Sequence, residues 1–187
     1  KDYWKDVGTI ESYWQANMEL IKTLPSFNLY EDFWKIYTNS DIQPPQYISP
    51  TGHVKKSIIS DGCEIYGDVE NSVLSPDVII EEGAFVKDSI IMKGTVIKSG
   101  AVIDRCVIDE SCVIEKDVKM GVGDNIPNEL KPKIYNTGIT VIGENSFVPE
   151  GVTIGKNCVI HGKTSSADYT NSILESGKSI IMEEEDL

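Results

Sequence analysis

Between residues 54 and 160 the aliphatic side chains fall on a six-residue period. Ile80 is followed by Val86, Ile97 by Ile103 and Ile114 by Met120, and later Ile142, Val148, Ile154 and Ile160 stand six apart without a break. Four longer segments, 54–65, 69–80, 86–97 and 103–114, align with one another, their starts 15, 17 and 17 residues apart. A period of six is neither the 3.6 of a helix nor the 2 of a lone strand. It is the pattern of a chain that runs a short strand, turns a corner and runs another, three sides to a coil of about 18 residues. One coil cannot bury its own apolar face, so stacked coils form the core. Each buried Val or Ile adds roughly 1.5–3 kcal/mol. Glycines at 62, 83, 94, 100, 143 and 155 are expected to supply the corner backbone.

Two adjacent positions of the repeat are both aliphatic: Ile58, Val73, Ile90 and Val107, then Ile59, Leu74, Ile91 and Ile108. Neighbours in a strand point to opposite faces, so one row lies inside and the other forms an apolar stripe outside. Such a stripe implies a contact surface, and the expected contact is self-association of the chain, at least to a dimer.

The period is interrupted over 121–138, where Pro127, Pro132 and polar residues predict a loop protruding from the coils. Beyond Gly162 it weakens, and Ile173-Leu174 and Ser179–Met182 are expected to be closing strands. The front differs in kind. Thr9 is an N-cap, Glu11 lies in the first turn, and Ile10, Tyr13, Trp14, Ala16, Asn17, Leu20 and Ile21 form a helical stripe ending before Pro25. A second helix is predicted over 30–37, and Gln43-Pro44-Pro45-Gln46 reads as a stiff extended linker. Tyr13, Trp14, Phe33, Trp34 and Tyr37 exceed what so short a piece can bury alone and are expected to pack against a neighbouring domain.

The formal net charge of -13 leaves no cationic surplus for nucleic acid or an anionic membrane. No apolar run approaches the roughly 20 residues of a membrane span, no signal segment opens the chain, and the expected location is the cytoplasm. The acidic run 183–186 reads as a solvated tail. Cys63, Cys112 and Cys158 share the repeat slot of Val78 and Thr95, and Cys106 takes that of Ser57, Ser72 and Ser89. They read as small buried side chains in a reducing compartment, without the close pairing of a metal site.

The residues Tyr3, Trp4, Asp6, Val7, Gly8, Thr9, Tyr13, Ala16, Asn17 and Leu20 resemble the Y-W-x-D-V-G-T-x-x-x-Y/F-x-x-A-N-x-x-L signature of glucose-1-phosphate adenylyltransferases. Leu29, Tyr30, Trp34, Ile36, Thr38 and Pro44-Pro45 resemble the family's linker, and the coils its left-handed β-helix domain. The resemblance covers nearly the whole chain. It implies a mainly β fold: a left-handed parallel β-helix over 51–187 with loop 121–138, a linker over 25–50, and the end of a nucleotidyltransferase domain over 1–24. It also implies the family's reaction, in which ATP and glucose 1-phosphate give ADP-glucose and pyrophosphate with Mg²⁺, for glycogen or starch synthesis. By the resemblance Asp6 is the catalytic carboxylate that helps hold the metal, Trp4 lies toward the sugar, and the whole protein is a tetramer, of one subunit type or with a sister subunit.

The family's Gly-rich phosphate loop, second metal-binding Asp and substrate Lys motif are missing from these 187 residues, and the chain starts with Lys1. The chain is therefore expected to be inactive by itself. Among alternatives, a hexapeptide acyltransferase needs a general-base His, and only His53 and His161 exist, the first ahead of the coils and the second facing outward. A γ-class carbonic anhydrase needs three His ligands. A non-catalytic sister subunit would be expected to lack Asp6. The coil 107–112 carries an acid where some regulated relatives have Arg, so strong control by a sugar bisphosphate is not expected.

Overall fold

The computed structural model describes residues 3–29, 33 and 42–182. The helix anticipated over 30–37, with Trp34 and Tyr37, lies outside the described residues apart from Phe33, and so does the acidic tail.

Residues 47–181 wind into a prism of three parallel sheets, the expected left-handed hexapeptide β-helix. The first sheet has six strands: Tyr47–Ile48, Glu64–Ile65, Ile79–Ile80, Val96–Ile97, Val113–Ile114 and Phe147–Val148. The second has seven: His53–Lys55, Asp68–Glu70, Phe85–Lys87, Val102–Asp104, Lys119–Val122, Thr153–Gly155 and Ile173–Leu174. The third also has seven: Ile58–Ile59, Val73–Leu74, Ile90–Ile91, Cys106–Ile108, Thr140–Ile142, Val159–His161 and Ser179–Ile181. Strands pair in register with their counterparts one coil away, apart from a shift between Met120 and Val122, so Leu74 lies on Ile91 and Ile91 on Ile108. The six-spaced aliphatics Ile80, Val86, Ile97, Ile103, Ile114, Met120, Ile142, Val148, Ile154 and Ile160 point into the prism and are fully buried.

At the turn from second to third sheet the chain passes through the left-handed region at Lys56, Asn71, Asp88 and Arg105, with φ of 48–53°. Only Asn and Asp tolerate this cheaply. The next residue of each coil offsets part of the cost. The Ser57 hydroxyl accepts from the Ser72 N–H, Ser72 from Ser89 and Ser89 from Cys106, each at 3.0–3.1 Å. The shared slot seen in the sequence is thus a ladder of hydrogen bonds, with Cys106 as its last rung. Gly62, Gly83, Gly94 and Gly100 have the expected positive φ, whereas Gly143 and Gly155 do not. These two make room instead: a Cβ on Gly155 would lie 2.3 Å from the Ser176 nitrogen.

The loop leaves the coils after Lys119–Val122 and is pinned by two buried amides. Asn157 donates to the Asn125 side chain and the Ile126 carbonyl and accepts from the Gly138 N–H. Asn128 donates to the Asn157 carbonyl and Ser179 hydroxyl and accepts from the N–H groups of Leu130 and Lys131. The expected closing strands extend the second and third sheets. Thr164 covers the end of the first sheet, its hydroxyl accepting from the Phe147 N–H and donating to the Phe147 carbonyl.

The outer row is Ile58, Val73, Ile90 and Val107, as one of the two readings required. Within the chain it is covered by α1 (Ile10–Leu20), whose Ile10, Tyr13, Trp14 and Met18, with the C-cap Ile21, pack on it and leave Ile90 and Val107 only 2% and 5% exposed. Self-association through Ile90 and Val107 would require α1 to leave them, while Ile58 and Val73 are half-buried. Tyr13 and Trp14, expected to face a separate domain, are placed against the chain's own third sheet. The reason is chain economy: a helix tethered to the coils reaches the stripe at high effective concentration. The Trp14 Nε1–H donates to the Asp88 carbonyl at 2.7 Å, and the Arg105 guanidinium lies 4.3 Å from the indole centroid. At the other end Thr9 caps the helix in a capping box with Ser12.

Trp14→Ala removes the indole packing, the hydrogen bond to Asp88 and the cation–π contact together, a loss of about 3–5 kcal/mol. We expect amide exchange over residues 10–20 to accelerate while the strand amides stay protected. Unchanged protection of α1 would mean that the stripe does not hold it.

Candidate active-site edge

Residues 3–8 have no regular secondary structure and lead into α1, with Lys5 alone among them half-buried. Tyr3 and Lys5 turn toward Glu19. The Tyr3 hydroxyl donates to Glu19 Oε2 at 3.0 Å, and Lys5 Nζ lies 2.8 Å from Oε1. These two hydrogen bonds, Lys5 first, hold the Glu19 carboxyl below its ordinary range. Tyr3 also stacks on Phe27, ring centroids 5.8 Å apart. Lys5, to which the sequence assigned no role, is thus one of the ties of this segment.

The alternate residues, Trp4 and Asp6, face outward. Trp4 is 83% exposed, and Asp6 is exposed with Oδ1 accepting the Gly8 N–H at 3.0 Å. The turn at Asp6-Val7-Gly8 runs directly into the capped N-terminus of α1, so both side chains are carried on a helix fixed to the prism. Asp6 Oδ2 accepts no recorded hydrogen bond from the described residues. A carboxylate of this kind suits Mg²⁺, which binds through one or two carboxylates, waters and substrate phosphates. Among the described residues no three His, Cys, Asp or Glu side chains converge on a possible metal position. Asp6 and Trp4 are thus two exposed side chains, two residues apart, just ahead of α1.

The two histidines lie elsewhere. His53, expected ahead of the coils, is in the first strand of the second sheet, where its Nδ1 lies 2.8 Å from Asp68 Oδ1 with both side chains exposed. His161 is exposed at the end of its strand, facing outward as expected. The sequence did not reveal Arg105 as a contact of α1. It is the only arginine in the chain, yet its place beside Trp14 depends on the distance closed between residues 14 and 105. Nor could the sequence show that Glu19 receives both Tyr3 and Lys5.

The four cysteines are buried free thiols, as expected. Cys112 Sγ is 3.1 Å from the Gly143 carbonyl and Cys158 Sγ 3.1 Å from the Glu175 carbonyl, both as donors. Burial pushes all four thiols up, Cys112 to about 11. A raised folded-state pKa stabilises the fold below the unfolded thiol pKa of about 8.5 and loses that contribution as pH rises through the folded value. The denaturation midpoint is expected to change little from these groups at pH 7–8 and to fall above about pH 9. An aromatic disulfide reagent should label none of them before unfolding and all four after. Rapid labelling of the native chain would show that a thiol is open to solvent.

Residues 46–142 match the family model described as GlmU-like, C-terminal hexapeptide. The chain is 59% identical over 179 residues to a glucose-1-phosphate adenylyltransferase of Lachnospira eligens, covering 96% of this chain and 42% of that protein. A protein of the same name from Acetivibrio thermocellus is 51% identical, with the same coverage. One from Thermosipho melanesiensis is 61% identical over 158 residues, 84% of this chain and 38% of its own length. The match is to the C-terminal part of these relatives, so the chain spans less than half their length. No helix among the described residues is long and apolar enough to cross a membrane.

Proposed function

Because the chain belongs to the GlmU-like C-terminal hexapeptide family, we propose that it is the C-terminal β-helix part of a glucose-1-phosphate adenylyltransferase. In this reading residues 1–24 are the end of the nucleotidyltransferase domain, 25–50 the linker and 51–187 the β-helix. One observation carries it beyond the identities: the segment with Trp4 and Asp6 is tied to a helix seated on the prism, with both side chains turned outward. The β-helix acts here as a rigid mount for one edge of an active site whose body belongs to the longer protein.

The reaction is the attack of the glucose 1-phosphate oxygen on the α-phosphorus of ATP, with pyrophosphate leaving and ADP-glucose formed. A bound Mg²⁺ would neutralise charge on the phosphates during this transfer. Asp6, whose Oδ1 accepts the Gly8 N–H, would supply a carboxylate to that ion, and Trp4 would offer an aromatic face toward the sugar. Lys5 and Tyr3 position this pair through Glu19. The protein works in the cytoplasm as a homotetramer or with a sister subunit. Within the chain, α1 already covers Ile90 and Val107 of the third sheet's outer row.

Incubated with ATP, Mg²⁺ and glucose 1-phosphate, the chain by itself is expected to release no pyrophosphate above a blank, because it carries one edge of the site. Clear release would overturn this assignment. In the longer protein, Asp6→Asn keeps the shape and removes the charge. It is expected to lower turnover at least about 10²-fold and to leave thermal unfolding unchanged. Turnover within a few-fold of the parent would make Asp6 a pre-helix carboxylate and no more.

A further inference from the structure

The outward stripe of the third sheet continues past Val107. Val141 and Val159 follow in register, Val141 half-buried and Val159 8% exposed. Together they floor a cleft of about 430 Å³ whose opposite wall is the loop, with Tyr135 and Lys131. That wall is preformed, since Asn128 and Asn157 hold the loop by buried, fully used amides. The volume lies in the range of small-molecule pockets, about 300–1,000 Å³.

The polar groups of the cleft are arranged in a column. Ile108, Ile142 and Ile160 stack in register, so the residues after them, Asp109, Gly143 and His161, also stand one above another. Gly143 has no side chain between the other two, and the His161 imidazole leans over it: a Cβ there would lie 3.3 Å from His161 Nδ1 and 3.2 Å from the Ile160 carbonyl oxygen. Two strand spacings put the Asp109 and His161 backbones about 9–10 Å apart. A carboxylate therefore stands at one end of the column, and an imidazole leans in from the other. Asp109 Oδ1 accepts the Glu110 N–H, and its second oxygen has no recorded partner among the described residues. Neither Lys131 nor His161 forms an ion pair among the described residues. This is notable in a chain of net charge -13, where carboxylates outnumber cations.

We propose that this cleft binds a small zwitterion of the α-amino-acid type with an aromatic or branched apolar side chain. The side chain rests on Val141 and Val159 against the Tyr135 ring, the ammonium meets Asp109, and the carboxylate meets His161 and Lys131. Charge complementarity selects the class. A simple acid has no group for Asp109, and a sugar phosphate would bring two negative charges beside that carboxylate with no apolar face for the floor. The site lies wholly within this chain, so its test is independent of the adenylyltransferase assignment.

The chain, labelled with ¹⁵N, is titrated with L-phenylalanine, L-leucine, phenylacetate and phenethylamine. The two amino acids are expected to shift the amides of Tyr135, Gly143 and His161 with dissociation constants of about 1 mM or below. Phenylacetate and phenethylamine each lack one charge-assisted contact and should bind about 10-fold more weakly. Asp109→Asn and His161→Gln lie on the surface and should each weaken phenylalanine about 10-fold with an unchanged thermal midpoint. Gly143→Val should weaken binding by displacing the His161 imidazole that leans over this position. If it also unfolds the coil, the two surface variants decide. The proposal is overturned if phenylalanine causes no shifts at about 10 mM, if either single-charge probe binds as well as phenylalanine, or if both surface variants bind like the parent.

Discussion

Everything in this molecule hangs on the vertical stacking of identical backbone positions. Each strand lends its outer hydrogen-bonding groups to the coil above and the coil below, and it can do so only if every coil keeps the same corners. Side chains then form columns. An inward column of Ile65, Ile80, Ile97, Ile114 and Val148, fully buried, exists because the coils repeat, and its packing in turn enforces the repeat. The same rule generates the polar columns at the corners. Ser57, Ser72, Ser89 and Cys106 each satisfy or extend the one before, and an interruption would leave a buried N–H without a partner, at about 1–3 kcal/mol.

Stacking also makes the three outer faces different from one another. On the second sheet one column reads Lys55, Glu70, Lys87 and Asp104 in register. Its alternating charges suit solvent, and its recorded pair, Lys55 to Glu70 at 2.8 Å, is exposed and worth little in stability. The third sheet instead carries an apolar column that cannot stay wet. Two pieces of the chain outside the regular coils settle there. α1 covers Ile90 and Val107, and the loop after Lys119–Val122 stands over Val141 and Val159, leaving a cleft between. Trp14 and Arg105 join these pieces: the indole donates to the Asp88 carbonyl, while the guanidinium lies over the indole and donates from Nε to the Thr137 carbonyl at the end of the loop.

That arrangement gives the prism a role for the residues ahead of it. A helix seated on a stack of coils has little freedom, and the extended segment before it is fastened twice more at Glu19. Trp4 and Asp6 are therefore presented in a fixed direction by the stacked coils. Rigid support of a few outward groups is what a site on the edge of a larger protein requires.

The sequence by itself determined the prism. A six-residue period in Ile, Val and Leu admits one kind of chain path, and the slots of Cys63, Cys106, Cys112 and Cys158 showed their burial before any coordinate did. It also determined that one of two adjacent aliphatic rows lies outside, because strand neighbours point to opposite faces. The role proposed for Trp4 and Asp6 rests on a local motif, contiguous in the chain, that resembles a family signature. What covers the outer row was decided only by the tertiary structure, because an apolar stripe attracts any apolar surface and periodicity carries no information on which one arrives. The tie of Tyr3 and Lys5 to Glu19, the place of Arg105 beside Trp14, and the column of Asp109, Gly143 and His161 likewise required the fold. Each brings together residues 14 to 91 positions apart in the sequence, and the coil geometry alone sets which of them meet.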